Sequence, residues 1–248
     1  MKHLILLIAT LLLISATSAK AQTARLYTSA DGLANSHIYD IFQDSKGFIW
    51  ISTENGLSKF DGMKFSTFRY DRSNENTIAS NTIRNVHEDS KGRFWVGTSA
   101  GLQIFDTEYS TFTKVNLEDW SVPDSDQHII SVMELEIMGK DRILAATSGH
   151  GIYILDADDQ RIDHDLQNTL NRMLPSKFIG NTFLDSKERL WVTTDLGGVN
   201  IFDMKNLTQV KDIWANGLSK ESMDTFNSFT EEAQTGNIYI GSSLYILR

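Results

Sequence analysis

Six histidines are present: His3, His37, His87, His128, His150 and His164. No two stand four apart, the spacing that brings two imidazoles to one helical face around zinc. His37 and His87 fall in runs that read as first strands of a repeat, but at different places in it. His150 sits in the loop Ser148-Gly149-His150-Gly151 and is the one His that invites a role as a lone base. A solvated loop residue is the plainer account. With no Cys in the chain, a thiolate nucleophile, a thiolate metal site and a disulfide framework are all excluded. No Gly-x-Ser-x-Gly elbow, phosphate loop or dinucleotide fingerprint occurs, so nothing points to nucleotide chemistry. No catalytic residue, metal-ligand set or cofactor is assigned.

Asp44, Asp89 and Asp185 each open an Asp-Ser-Lys turn. A calcium loop needs several oxygen ligands at alternate positions and a closing Glu; these turns hold one Asp each, which fits a hairpin turn instead. They also invite comparison with the aspartate-box turns of sialidase propellers. Here the Asp precedes a Trp by six residues, against five in that box. The Arg cluster and Tyr/Glu pair of a sialidase are not evident either. The five Trp divide into two sets. Trp50, Trp95 and Trp191 recur in equivalent contexts and read as core; Trp120 and Trp214 do not. Those two fall near connections between repeats, where an indole ring either packs or stacks on a sugar face.

The repeat positions these groups. Phe48-Ile49-Trp50-Ile51-Ser52-Thr53 returns as Arg93-Phe94-Trp95-Val96-Gly97-Thr98 and as Arg189-Leu190-Trp191-Val192-Thr193-Thr194. Weaker copies run from Arg142 to Thr147 and from Asn237 to Ser242. Trp50, Trp95, Leu144, Trp191 and Tyr239 are therefore spaced by 45, 49, 47 and 48 residues. Short strands at that period predict an all-β propeller of four-stranded blades. In the first copy the strands read Ile38 to Phe42, Phe48 to Ser52, Leu57 to Phe60 and Lys64 to Phe68. Turns at Asp44-Ser45-Lys46-Gly47, Asn55-Gly56 and Asp61-Gly62 separate them. Strand two is apolar at nearly every position, as a strand covered on both faces must be. Five blades are expected, near 37–70, 82–114, 128–166, 178–214 and 225–248. The third is the most degraded, with a very polar fourth strand near Arg161 to Asp165. Arg25 to Thr28 reads as a spare fourth strand. It either closes a five-bladed ring with the final strands, or belongs to a blade of a larger, seven-bladed ring completed beyond Arg248. The second arrangement is expected.

The chain has 248 residues, 41% apolar and 22% charged, which excludes wholesale disorder. Its formal charge is -9. No Lys/Arg-rich run exists, arguing against a nucleic-acid or anionic-membrane surface. Met1-Lys2-His3, the apolar run Leu4 to Ile14 and Ala19-Lys20-Ala21 form the three parts of a secretory signal, cleaved before Gln22. The apolar run is shorter than the ~20 residues that span a bilayer. The expected location is periplasmic.

The segments from Leu33 through Leu57 and from Ile78 through Leu102 resemble the two-component regulator propeller repeat. That repeat reads Gly-Leu-x-x-Asn-x-Val, then Asp-x-x-Gly-x-Leu-Trp-Val-Gly-Thr, then Gly-Leu. The resemblance implies the periplasmic sensor region of a hybrid two-component histidine kinase, which detects oligosaccharides released from glycans. It also implies a β-sandwich, a membrane helix and a kinase following the propeller; these would lie beyond Arg248 and anchor the intact protein in the inner membrane. The expected function is extracytoplasmic oligosaccharide sensing in a phosphorelay, with no enzymatic activity in this chain and a homodimer among the expected assemblies. The alternatives are a propeller polysaccharide lyase or hydrolase and a stand-alone protein-binding propeller. Strand-two-to-three loops and blade connections share one face of a propeller, and here those loops vary while the strands repeat. Asn55, Trp120, His150, Asp195 and Trp214 are the candidate ligand-binding residues. They offer the amide, ring, imidazole and carboxylate surfaces that sugars use. Longer loops in repeats three and four place the expected ligand off-axis toward them. The acidic net charge favours a neutral or cationic sugar unless a local basic pocket overrules it.

Overall fold

A computed structural model describes residues 24–117, 128–196, 198–213, 226–242 and 246–247. The signal segment, Trp120 and Trp214 lie outside the described residues. Five antiparallel sheets follow one another along the chain, each strand pairing with its sequence neighbour. The first holds β1 (Ile38–Gln43), β2 (Ile49–Thr53), β3 (Gly56–Phe60) and β4 (Phe65–Phe68). The second holds β5 (Ile83–Glu88), β6 (Phe94–Thr98), β7 (Gly101–Asp106) and β8 (Thr111–Lys114). The third consists of β9 (Ile129–Ile137), β10 (Lys140–Thr147) and β11 (Ile152–Asp156). The fourth holds β12 (Ile179–Leu184), β13 (Arg189–Thr194), β14 (Val199–Asp203) and β15 (Thr208–Ile213). The fifth, among the described residues, is β16 (Phe226–Glu231), β17 (Ile238–Ser242) and β18 (Ile246–Leu247). Strand one of each sheet lies beside strand one of the next, from β1 through β5, β9 and β12 to β16. This is a β-propeller, with first strands innermost.

Strand two explains why the sheets stack. All five residues of β6 are buried. Alternate side chains leave a strand on opposite faces, and in β10 the two sets enter different cores. Ile143 and Ala145 pack with Trp95 and Leu102 of the second sheet. Leu144 and Ala146 pack with Leu190, Val192 and Phe202 around the fourth. Trp50 and Trp95 are fully buried, and each points its ring toward the following sheet. Gly97 serves the same close approach: a Cβ there would stand 2.7 Å from Ile129 Cγ2 of the next sheet.

Two expectations are corrected. The polar segment Arg161 to Asp165 is not a fourth strand. A single bridge joins Leu155 to Ile162, and the chain then enters helix α1 (His164–Met173). Leu166, Leu170 and Met173 recur at helical spacing, and all three pack onto the core between the third and fourth sheets. The Asp163 side chain caps the helix by accepting from the Leu166 N–H. Arg161 and Asp163 exchange two backbone bonds with Asp156 and Ile154 of β11, and Asn171 continues the pairing at Ile152. Its Oδ1 accepts from the Ile152 N–H at 2.8 Å, and its Nδ2 donates to the Ile152 carbonyl at 2.9 Å.

Residues 25–28 form no strand either. The Tyr27 ring packs edge-on against Phe60 and Phe65 of the first sheet, with centroids 5.0 and 5.6 Å away. Thr28 and Asp31 then close a capping box around a single 3₁₀ turn, Ser29–Asp31, which ends the extended run.

Candidate functional site

Each strand one carries a β-bulge near its start. Register shifts fall between Ile38 and Asp40, between Ile83 and Asn85, and between Ile179 and Asn181. The third sheet skips Ile130 in the same way. A bulge leaves one residue unpaired and re-aims its side chain. The bulged residues Tyr39, Arg84, Ile130 and Gly180 all line one cavity of about 650 Å³ on the propeller axis. His37, Asp40, Asn85, Asn181 and Thr182 complete much of its wall.

Two kinds of contact build this wall. Arg84 lies over the Tyr39 ring, with its guanidinium carbon 4.2 Å from the centroid, and His37 tilts against the same ring at 4.8 Å. Polar side chains then link the strands sideways. Asn85 donates from Nδ2 to Asp40 Oδ2 at 2.7 Å, and its Oδ1 accepts from the Val132 N–H at 2.8 Å. Ser131 and Thr182 share a hydroxyl–hydroxyl bond of 2.6 Å. Burial pushes the Asp40 carboxyl above its usual range, against the opposing pull of the Val86 and Ile41 N–H groups and the Asn85 amide.

The sequence candidates occupy the rim rather than the axial wall. Asn55 is exposed between β2 and β3, and its carbonyl accepts from Arg69 Nε at 3.2 Å. Half-buried His150 lies between β10 and β11, with its N–H donating to Thr147 Oγ1. That loop is tied to the blade connection, since Gly149 and Gly151 both donate to the Lys177 carbonyl. Asp195 is exposed after β13 and donates its backbone N–H to the Phe178 carbonyl. Loops 148–151 and 195–198 are longer than 54–55 and 99–100. The bulged residues lie in the strands, outside the variable loops that hold the sequence candidates. Their signal was a variable position inside a repeating strand: Tyr39, Arg84, Ile130 and Gly180.

The Asp-Ser-Lys turns serve the fold. Asp44, Asp89 and Asp185 each accept the indole N–H of the Trp six residues on, at 2.8 Å in all three. Their second oxygens accept backbone N–H groups within the turn. The Ser of each turn donates twice to a Glu on strand one of the next sheet: Ser45 to Glu88, Ser90 to Glu134, and Ser186 to Glu231.

The two-component regulator propeller family model matches residues 32–55 and 77–100. These segments hold the first two strands of each of the first two blades, with the Asp–Trp turn between them. The first two blades are thus similar to two-component regulator propeller repeats. Histidine kinase P4 of Formosa agariphila is 38% identical over 68 residues, covering 26% of this chain and 5% of that protein. The extracellular domain of BT3049 from B. thetaiotaomicron, described as a hybrid two component system, aligns with a TM-score of 0.71 and 24% identity over 90% of this chain. The extracellular domain of BT4673 from the same organism, described as a one component system, gives 0.68 and 18% over 89%. The chain spans 30% of each of these two solved chains. These likenesses establish the propeller fold.

Proposed function

We propose that the chain is an extracytoplasmic ligand-sensing propeller, the N-terminal part of a hybrid two-component sensor that responds to glycan-derived oligosaccharides. The axial cavity carries this reading. Its volume of about 650 Å³ falls within the range of roughly 300–1,000 Å³ typical of small-ligand sites. Aromatic, amide and hydroxyl groups converge on it from four successive blades. A ligand there touches several blades at once, so it can bias their relative packing, which is what a sensor must transmit. Asn55, His150 and Asp195 stand on the rim it would enter across, with Trp120 and Trp214 as further stacking candidates. The kinase module would follow this region and supply the phosphorelay.

A glycoside hydrolase reading has less support. Such enzymes pair two carboxyl groups across the scissile bond, and Asp40 is the one carboxylate among the described lining residues. Calorimetry against a panel of glycan fragments tests the sensing reading. Saturable binding without turnover, weakened by Tyr39→Ala, is the expected result. Release of product from any fragment would favour the enzyme instead.

A further inference from the structure

Arg84 is the group in the axial cavity that the fold leaves unsatisfied. Its Nε is buried and has no hydrogen-bond partner among the described residues. Arg93 Nη2 and Arg142 Nε are likewise buried without a partner, but their charges are met by carboxylates: Arg93 by Asp89 and Arg142 by both Asp156 and Asp163, as Arg189 is by Asp185. Asp40 lines the same cavity but is bound elsewhere. Its Oδ1 accepts from the Ile41 N–H, and its Oδ2 accepts from the Asn85 amide and the Val86 N–H. A guanidinium stays charged at any physiological pH and presents a planar fork of donors that matches a carboxylate. Here Tyr39 holds that plane from one side, so the fork is pre-organised.

We propose that Arg84 is the carboxylate-binding group of the axial cavity, and that the ligand is a short acidic saccharide carrying a uronate residue. The proposal rests on the ligand-sensing reading above and names its ligand class. The carboxylate meets the Nη end of the Arg84 guanidinium, since Nε is buried, while the sugar hydroxyls face Asn85, Asn181 and Thr182 around the wall. The net charge of -9 does not oppose this. Surface charges are screened over about 8–10 Å in physiological salt, whereas a charge inside a cavity is screened much less. The same net charge disfavours a long polyanion, which would run out over the acidic exterior. A short, singly charged ligand satisfies both conditions.

The test is calorimetry on the 248-residue chain with digalacturonate and D-glucuronate beside their neutral counterparts, galactobiose and D-glucose. Parent, Arg84→Gln and Arg84→Lys are compared, with thermal melts as a check on folding. The acidic sugars should bind the parent better than the neutral ones, and affinity should fall as salt rises. Arg84→Gln should weaken acidic binding roughly tenfold or more, and by clearly more than it weakens binding of the neutral sugars. Arg84→Lys keeps the charge but loses the fork, so it should fall between them and decides the matter should the Gln variant not fold. Equal affinity for acidic and neutral sugars, or full affinity in the Arg84 variants, overturns the carboxylate assignment and leaves the sensing reading standing. A parent that binds none of these and no other glycan fragment overturns both.

Discussion

Asp89 accepts from the backbone N–H groups of Lys91 and Arg93 through one oxygen, and from Arg93 Nε and the Trp95 indole through the other. Burial alone would raise its pKa; these donors and the Arg93 charge outweigh it and hold the carboxyl below its usual range. Asp185 behaves alike, with Arg189 and Trp191 as donors. A carboxyl with a lowered folded-state pKa stabilises the fold above its unfolded value of about 3.9 and loses that contribution as pH falls below it. Acid unfolding should therefore steepen below about pH 4, and Asp89→Asn should both lower the melting temperature at pH 7 and flatten that limb. His87 acts higher on the scale. Burial depresses its pKa against the pull of Glu134, and its neutral Nε2 accepts from the Glu134 N–H. Protonation destroys that acceptor, so stability should also decline as pH drops below about 6.5. His87→Phe should abolish that step in a pH series of melts. The Asp–Trp spacing was legible in the sequence because it repeats three times. The unpartnered Nε of Arg84 was not, because nothing in a single sequence reveals which arginines lack a carboxylate.

Strand two is the element on which the packing depends, because its alternate residues fill two different cores. Trp95→Ala should cost about 3–5 kcal/mol, the usual range for an aromatic lost from a core, read as a fall in chemical-denaturation midpoint. Gly97→Ala should also destabilise, by about 1–3 kcal/mol, because the added methyl meets Ile129 of the next sheet. Helix α1 makes a separate claim. Leu170 is fully buried between the third and fourth sheets, so Leu170→Ala should cost about 2–5 kcal/mol. Were Leu170 instead in an exposed connection between blades, that substitution would be nearly silent. The helix was hidden by the repeat itself: alignment with the other copies placed a strand near Arg161 to Asp165, and the helical period of Leu166, Leu170 and Met173 begins just after it. The Ser-to-Glu links between sheets were readable in principle, since Glu88, Glu134 and Glu231 each follow a blade with an Asp-Ser-Lys turn. They are exposed and add only modest stability, up to about 1 kcal/mol each.

At the scale of the molecule, the face of the first sheet that a preceding blade would cover is bare. Ile38 and Ile41 are 41% and 62% exposed, while Ile83 and Val86, at the same places in the second sheet, are 0% and 2% exposed. Ile41→Ala should shift stability by less than about 0.5 kcal/mol, whereas Val86→Ala should cost about 2 kcal/mol. Equal costs would mean that another surface covers the first sheet in solution. The blade period was legible from one residue, the Trp of strand two, because a propeller repeats its core. The axial wall was not, because bulges break the alternation that sequence patterns reveal. Ligand binding there, on the bulged residues of strand one, is tested directly by amide hydrogen exchange with and without a binding glycan fragment. Slowed exchange should cluster at 37–41, 84–86, 130–133 and 180–182, around the axial cavity. Protection confined to the rim loops 148–151 and 195–198, or to the outer strands, with the axial residues unchanged, would contradict it.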